Sequence, residues 1–213
     1  MALALMSDFG TALIFFVTFL VISFMRSGSI ATVALAVTGA GMAGFLMLRM
    51  KAHVARRFAA WGHVWEDVYD TGYQQTHALS AGASGGLFGK GAGNGWLKDG
   101  FAANTDTVFS LVCEELGLIG ACVIMLIFAL LILRGFWIAL HARDRFGALL
   151  TVGVMTHLAL QTFLNIAVVS GFVPTTGISL PFFSYGGTAL CLQLVEMGIV
   201  LSVSRQIPAA RAG

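Results

Sequence analysis

Asp106, Ser110 and Glu114 recur at a spacing of four, so they share one face of any helix that begins near Asp106, and two of the three are carboxylates. They stand at the entrance to an apolar run, which puts that face close to a membrane surface. A carboxylate in a partly dehydrated cleft can take a proton from a sugar hydroxyl or hold a divalent cation, Mg2+ or Mn2+. Asp106 can equally serve as a helix N-cap, accepting a backbone N–H two or three residues on. One residue can do both.

A second polar line is formed by His157, Gln161 and Asn165 at i, i+4 and i+8, a stripe about 12 Å long on an otherwise apolar helix. Such a stripe must face protein or water: it either joins helices through hydrogen bonds or lines a cavity. Glu196 is the one carboxylate within the last apolar run and lies about two turns from Arg205. Intramembrane ionisable groups are functional candidates. Glycines crowd Gly82 to Gly95, yet this is no nucleotide loop. Gly89-Lys90 is followed by Gly91 where a Walker loop needs Ser or Thr, and no βαβ unit frames it. The stretch reads as a turn-rich loop or as a cradle for a lipid headgroup.

The elements that must position these residues are membrane helices. The chain has 213 residues, 58% hydrophobic and 10% charged, against about 25% charged in a soluble domain. A formal charge of +2 is too even for the phosphate attraction that dominates nucleic-acid binding, so no nucleic-acid partner is expected. Cys113, Cys122 and Cys191 sit in apolar runs and are odd in number, which argues against a disulfide framework. No cleavable signal is visible, because Met1 opens onto apolar sequence with Asp8 close behind.

Five spans are predicted, at about 9–25, 29–48, 112–133, 146–172 and 180–203, in one membrane domain covering residues 1–213. The first two form a hairpin through Arg26-Ser27-Gly28-Ser29, and Gly39, Gly41 and Gly44 on the second would let another helix approach. The 49–106 connection holds three of the four tryptophans and is expected to be a folded cap. Within it Val54, Phe58, Trp61 and Trp65, beside Lys51, Arg56 and Arg57, suit a helix in the headgroup layer, as a plain anchor or as a holder of anionic membrane lipid. Basic residues divide evenly between the two sides. Long connections obey the positive-inside rule less well than short ones, so the 49–106 connection is placed outside and the C-terminus in the cytoplasm. The uncharged turn from Gly171 to Gly187 carries Pro174 and Pro181. Such backbone is tolerated at membrane depth only beside protein or a wet cavity, so it is expected to border the cavity of Asp106.

Six ordered elements carry a resemblance. Ser7-Asp8-Phe9-Gly10-Thr11-Ala12, Gly72-Tyr73-Gln74, Ser84 to Gly91, Thr105-Asp106 with Glu114-Glu115-Leu116-Gly117, Gln161 with Asn165, and Pro174 through Leu180-Pro181-Phe182-Phe183-Ser184-Tyr185-Gly186-Gly187 follow one another along the chain. In these the sequence resembles the SEDS family (FtsW/RodA/SpoVE) of shape, elongation, division and sporulation proteins. The resemblance implies an all-α polytopic membrane protein, this chain matching the C-terminal five of ten helices, with one large extracellular loop. It implies a bacterial plasma-membrane glycosyltransferase that polymerises lipid II into peptidoglycan beside a class B penicillin-binding protein. Asp106 then matches the family's essential aspartate and is also the candidate metal ligand here, and basic loop residues or a divalent cation would offset the pyrophosphate. Substrate contacts are implied for Arg56, Arg57, Lys90, Glu114, Glu115, Gln161, Asn165, Ser184 and Tyr185. Two departures stand out: Phe101-Ala102-Ala103-Asn104 replaces a Pro-Glu-Ala-His element, and Thr107 replaces a Phe. A flippase for a lipid-linked sugar, using the His157 stripe as a wet path, and a non-catalytic partner of the penicillin-binding protein are the alternatives.

Overall fold

The computed structural model describes residues 9–50, 61–66, 68, 72–97 and 106–207. Among these, the chain forms α1 (Phe9–Ser27), α2 (Ile30–Met50), α3 (Tyr73–Ser84), α4 (Val108–Leu140), α5 (Arg145–Val169) and α6 (Gly187–Arg205). Four of them, α1, α4, α5 and α6, are long and apolar enough to cross a membrane, and α2 adds the apolar stretch Ile30–Met42. The protein is an all-helical polytopic membrane protein. The hairpin of α1 and α2 closes at Gly28, whose φ of 63° needs glycine and whose N–H returns to the Phe24 carbonyl at 2.8 Å.

Helix α5 is the centre of the bundle. Within its most apolar stretch 72% of residues are buried, against 11 to 17% for α1, α4 and α6. Its upper part packs with Ile14 of α1 and Ile178 through Leu164, while Met155 and Leu158 meet Ile138 of α4 and Val200 and Val203 of α6. A third cluster joins Val108, Phe109, Ala121, Ile124 and Phe128 of α4 to Val169 and Leu180. Apolar packing between helices gains little over lipid, so close fit and polar bonds must orient them. Asp144 caps α5, its carboxylate accepting from Gly147 N at 2.7 Å. At the other end the Gln75 amide of α3 donates to the Val168 and Val173 carbonyls at 3.2 and 3.3 Å, tying α3 to the end of α5 and to the connection beyond it.

Three boundaries differ from the expected spans. Helix α4 runs from Val108 to Leu140 rather than 112–133, but it is broken at Gly117, where φ is 70° and ψ −174°. Residues 180–186 are not part of the last helix: Phe182 takes a φ of 64°, and its N–H is held by Gln193 Oε1 of α6 at 2.9 Å. Gly39, Gly41 and Gly44 have no neighbour within 4 Å of an added Cβ, so no described helix exploits them.

Candidate active site

The break in α4 and the glycine-rich stretch form one device. In an unbroken helix the N–H groups of Leu118 and Ile119 would bond to the carbonyls of Glu114 and Glu115. Here Lys90 N and Gly91 N take those carbonyls at 2.9 and 3.0 Å, and Leu118 N and Ile119 N donate to the Gly86 and Leu87 carbonyls at 2.9 and 3.2 Å. The loop thus splints the break, replacing the lost bonds one for one as a low-dielectric setting demands. Such close approach requires glycine: a Cβ at Gly85 would overlap the Cys113 carbonyl, one at Gly89 the Glu115 carbonyl, and one at Gly117 the Gly89 nitrogen. The stretch turns as expected, with positive φ at Gly86, Gly89, Gly91 and Gly93, and Gly85 and Gly89 also pack against α4.

Glu114 fastens the same loop through its side chain. Its carboxylate is fully buried and accepts from Lys90 Nζ at 2.8 Å, Trp96 N at 3.0 Å and Leu97 N at 3.1 Å. The Lys90 side chain is 32% exposed, so the pair is shielded at one end only. Replacing Glu114 by Ala leaves the buried Leu97 amide, the part-buried Trp96 amide and an ammonium without their acceptor, and the expected loss is about 3 kcal/mol. Lys90→Ala should cost less, because Glu114 keeps its two backbone donors. Thermal unfolding of both variants in detergent checks this ordering; equal losses would mean that the ion pair dominates. Glu115 is half-buried alongside, its side chain against Gly95.

Asp106 lies just outside the first turn of α4, where the N-cap position belongs to Thr107, so Asp106 is not the cap. Its carbonyl accepts from Asn165 Nδ2 at 2.9 Å, and the same amide reaches the Ile178 carbonyl at 2.7 Å. A Cβ built on Gly177 would stand 3.8 Å from Asp106 Oδ2. The structure therefore brings Asp106, α5 and the 171–186 connection together, as the uncharged turn suggested. Ser110, one turn on, is fully buried, and its hydroxyl has no hydrogen-bond partner among the described residues.

The remaining expected residues are distributed around this point. Gln161 Nε2 donates to Ser179 Oγ at 3.4 Å. Ser184 closes its own turn, Oγ accepting from Leu180 N at 2.8 Å, and Tyr185 is 86% exposed. His157 is paired away from Asp106, with its Nδ1 3.2 Å from Glu196 Oε1 on α6. The His157 stripe therefore joins helices at its lower end and meets Asp106 at its upper end. Arg56, Arg57, Val54, Phe58, Asn104 and Thr105 lie outside the described residues. Gln75 and Gln193 hold irregular backbone and were not singled out in the sequence; Gln193 stands between Leu192 and Leu194, a signal that could have found it, whereas Gln75 lies among the polar residues Gln74, Thr76 and His77.

Among the described residues no group of three or more His, Cys, Asp or Glu side chains converges as a metal cage. Asp106 brings one carboxylate, which would suit only a hard cation that keeps most of its waters and shares a substrate phosphate.

A family model described as a cell cycle protein, covering FtsW, RodA and SpoVE, matches residues 1–208. The chain belongs to the FtsW/RodA/SpoVE family. It is 40% identical over 202 residues to the stage V sporulation protein E of Bacillus subtilis (strain 168), covering 93% of this chain and 55% of that relative. It is 46% identical over 154 residues to a probable peptidoglycan glycosyltransferase FtsW of Geobacter metallireducens, covering 71% and 41%. With the peptidoglycan glycosyltransferase RodA of Mycobacterium tuberculosis (strain ATCC 25618 / H37Rv) it shares 33% identity over 197 residues, covering 92% and 42%. A chain from a structure of a peptidoglycan synthase complex that coordinates polymerization and crosslinking superposes with a TM-score of 0.75 at 26% identity, covering 98% of this chain and 59% of that one. The chain thus spans about half the length of the curated FtsW, RodA and SpoVE relatives it matches.

Proposed function

We propose that the chain carries the catalytic carboxylate of a peptidoglycan glycosyltransferase that polymerises lipid II, with Asp106 as general base. The observation that supports this best is the placement of Asp106, pinned by Asn165 beside the uncharged 171–186 connection, in a family with relatives named peptidoglycan glycosyltransferase. Asp106 takes the proton of the acceptor sugar hydroxyl as its oxygen bonds to the donor's anomeric carbon. The bond from that carbon to the undecaprenyl pyrophosphate breaks, and the pyrophosphate departs with the electron pair.

Lys90 is already compensated by Glu114, so the pyrophosphate charge is assigned to Arg56 and Arg57. Exposed Tyr185 offers a contact to the sugar. A divalent cation shared between Asp106 and the phosphates would supply further charge neutralisation. The long connection lies outside, where lipid II is consumed, and the C-terminus lies in the cytoplasm. The partner is a class B penicillin-binding protein, which crosslinks the strands made here.

The test is direct. Protein purified from its native membranes with its partner, given lipid II, is expected to form glycan strands resolvable by gel electrophoresis. Chelation with EDTA is expected to lower the rate about tenfold or more, and added Mg2+ or Mn2+ to restore it. Movement of lipid II across vesicles without polymer would replace this reading with a flippase.

A further inference from the structure

We infer that Asn165 is a positioning residue: its buried amide fixes where Asp106 stands, and it acts on the reaction through Asp106 without touching substrate. Asn165 is 1% exposed, so no bound sugar or phosphate reaches it in this arrangement. Both hydrogens of its amide are spent, on the Asp106 carbonyl at 2.9 Å and the Ile178 carbonyl at 2.7 Å. The amide orientation follows, because the reverse would set its oxygen against two carbonyl oxygens.

The tether matters because, among the described residues, Asp106 has little else to hold it. At the start of α4 the amides of Ser110 and Leu111 bond to the Thr107 carbonyl. Among the described residues the Asp106 carbonyl takes no part in the helix ladder, and Asn165 is its donor. The other end of the tether is firm: Ile178 is buried against Ile14 and Leu164. The Asp106 carboxylate lies over Gly177, next to the carbonyl that the same amide holds. One side chain therefore sets both the base and the floor beneath it. A shift of about 1 Å in a reacting group can lower a rate by ~100-fold.

The inference rests on the catalytic assignment of Asp106 for its kinetic readouts but not for its positional one. Asn165→Leu, close in volume and without donors, is made in the protein purified from its native membranes with its partner and assayed with lipid II. The expected result is a kcat lower by ~100-fold with KM little changed, and no further loss when it is combined with Asp106→Ala. A raised KM at preserved kcat means direct substrate contact and overturns the proposal. The positional readout uses a protein with Cys113, Cys122 and Cys191 replaced by Ala and with Asp106→Cys, labelled by a membrane-impermeant maleimide. Adding Asn165→Leu is expected to raise the labelling rate at least roughly fivefold, as the segment opens locally. An unchanged rate overturns the tether whether or not Asp106 is catalytic. If labelling accelerates while Asp106→Ala retains activity, the tether stands and the general-base assignment falls. Asn165→Ser, which keeps one donor, should give intermediate values in both readouts and carries the test if the Leu variant does not accumulate.

Discussion

Asp106→Ala is expected to lower lipid II polymerisation by about 10²- to 10⁴-fold, the contribution of a positioned general base, while protein level and melting temperature stay close to those of the parent. The second half of this expectation is what makes the first informative. The Asp106 side chain does not occupy the cap of α4, a position taken by Thr107, and the group through which Asn165 holds residue 106 is its backbone carbonyl. Alanine keeps that carbonyl. Loss of the carboxylate alone should therefore change stability by no more than about 0.5 kcal/mol, as for substitutions away from structural features. Asp106→Asn should be as inactive as Ala, since it retains the shape but cannot accept the proton. The check is the initial rate of glycan-strand formation from labelled lipid II beside a thermal melt of the same preparation. Activity within tenfold of the parent would remove Asp106 from the chemistry, and a large fall in melting temperature would return it to a structural role.

The membrane helices were legible in the sequence because a long apolar run has few alternatives in a bilayer. Their detail was less legible where tertiary contacts decide the backbone. Nothing in the apolar pattern of residues 108–140 marks a break, since Gly117 could sit inside a membrane helix without one. The break follows from a loop some thirty residues earlier that supplies the missing hydrogen bonds. The two glycine-bearing elements, Ser84 to Gly91 and Glu114 to Gly117, stand apart in the sequence. Their joint purpose appears only when Lys90 N and Gly91 N are seen on the Glu114 and Glu115 carbonyls. Likewise the fourfold spacing of Asp106, Ser110 and Glu114 suggested one acidic face, yet the structure gives Glu114 to the loop and leaves Asp106 near the connection. The stripe of His157, Gln161 and Asn165 was legible as polar, but which residue each amide would meet depends on the fold of 171–186.

Gly117→Ala is expected to be among the most damaging single substitutions in the chain, although it adds one methyl group. At φ 70° and ψ −174° the backbone occupies a region essentially reserved for glycine, and a side chain there costs about 1–3 kcal/mol. The new Cβ would also overlap the Gly89 nitrogen, so the loop must move away. Moving it breaks the four backbone bonds of the splint, each worth about 1 kcal/mol, in a setting where water is a poor substitute. The sum is roughly 5 kcal/mol, a large share of the ~5–15 kcal/mol that a domain has in total. The expected observations are a sharply lower melting temperature, poor accumulation in the membrane, and loss of polymerisation in whatever folds. Gly198→Ala provides the control, since a Cβ there meets nothing within 4 Å on a helical backbone, and it should be neutral or stabilise by up to about 1 kcal/mol. Were Gly117→Ala to melt like the parent, α4 could close into a continuous helix at no cost. The splint would then be dispensable, and the glycines of the loop would need another explanation.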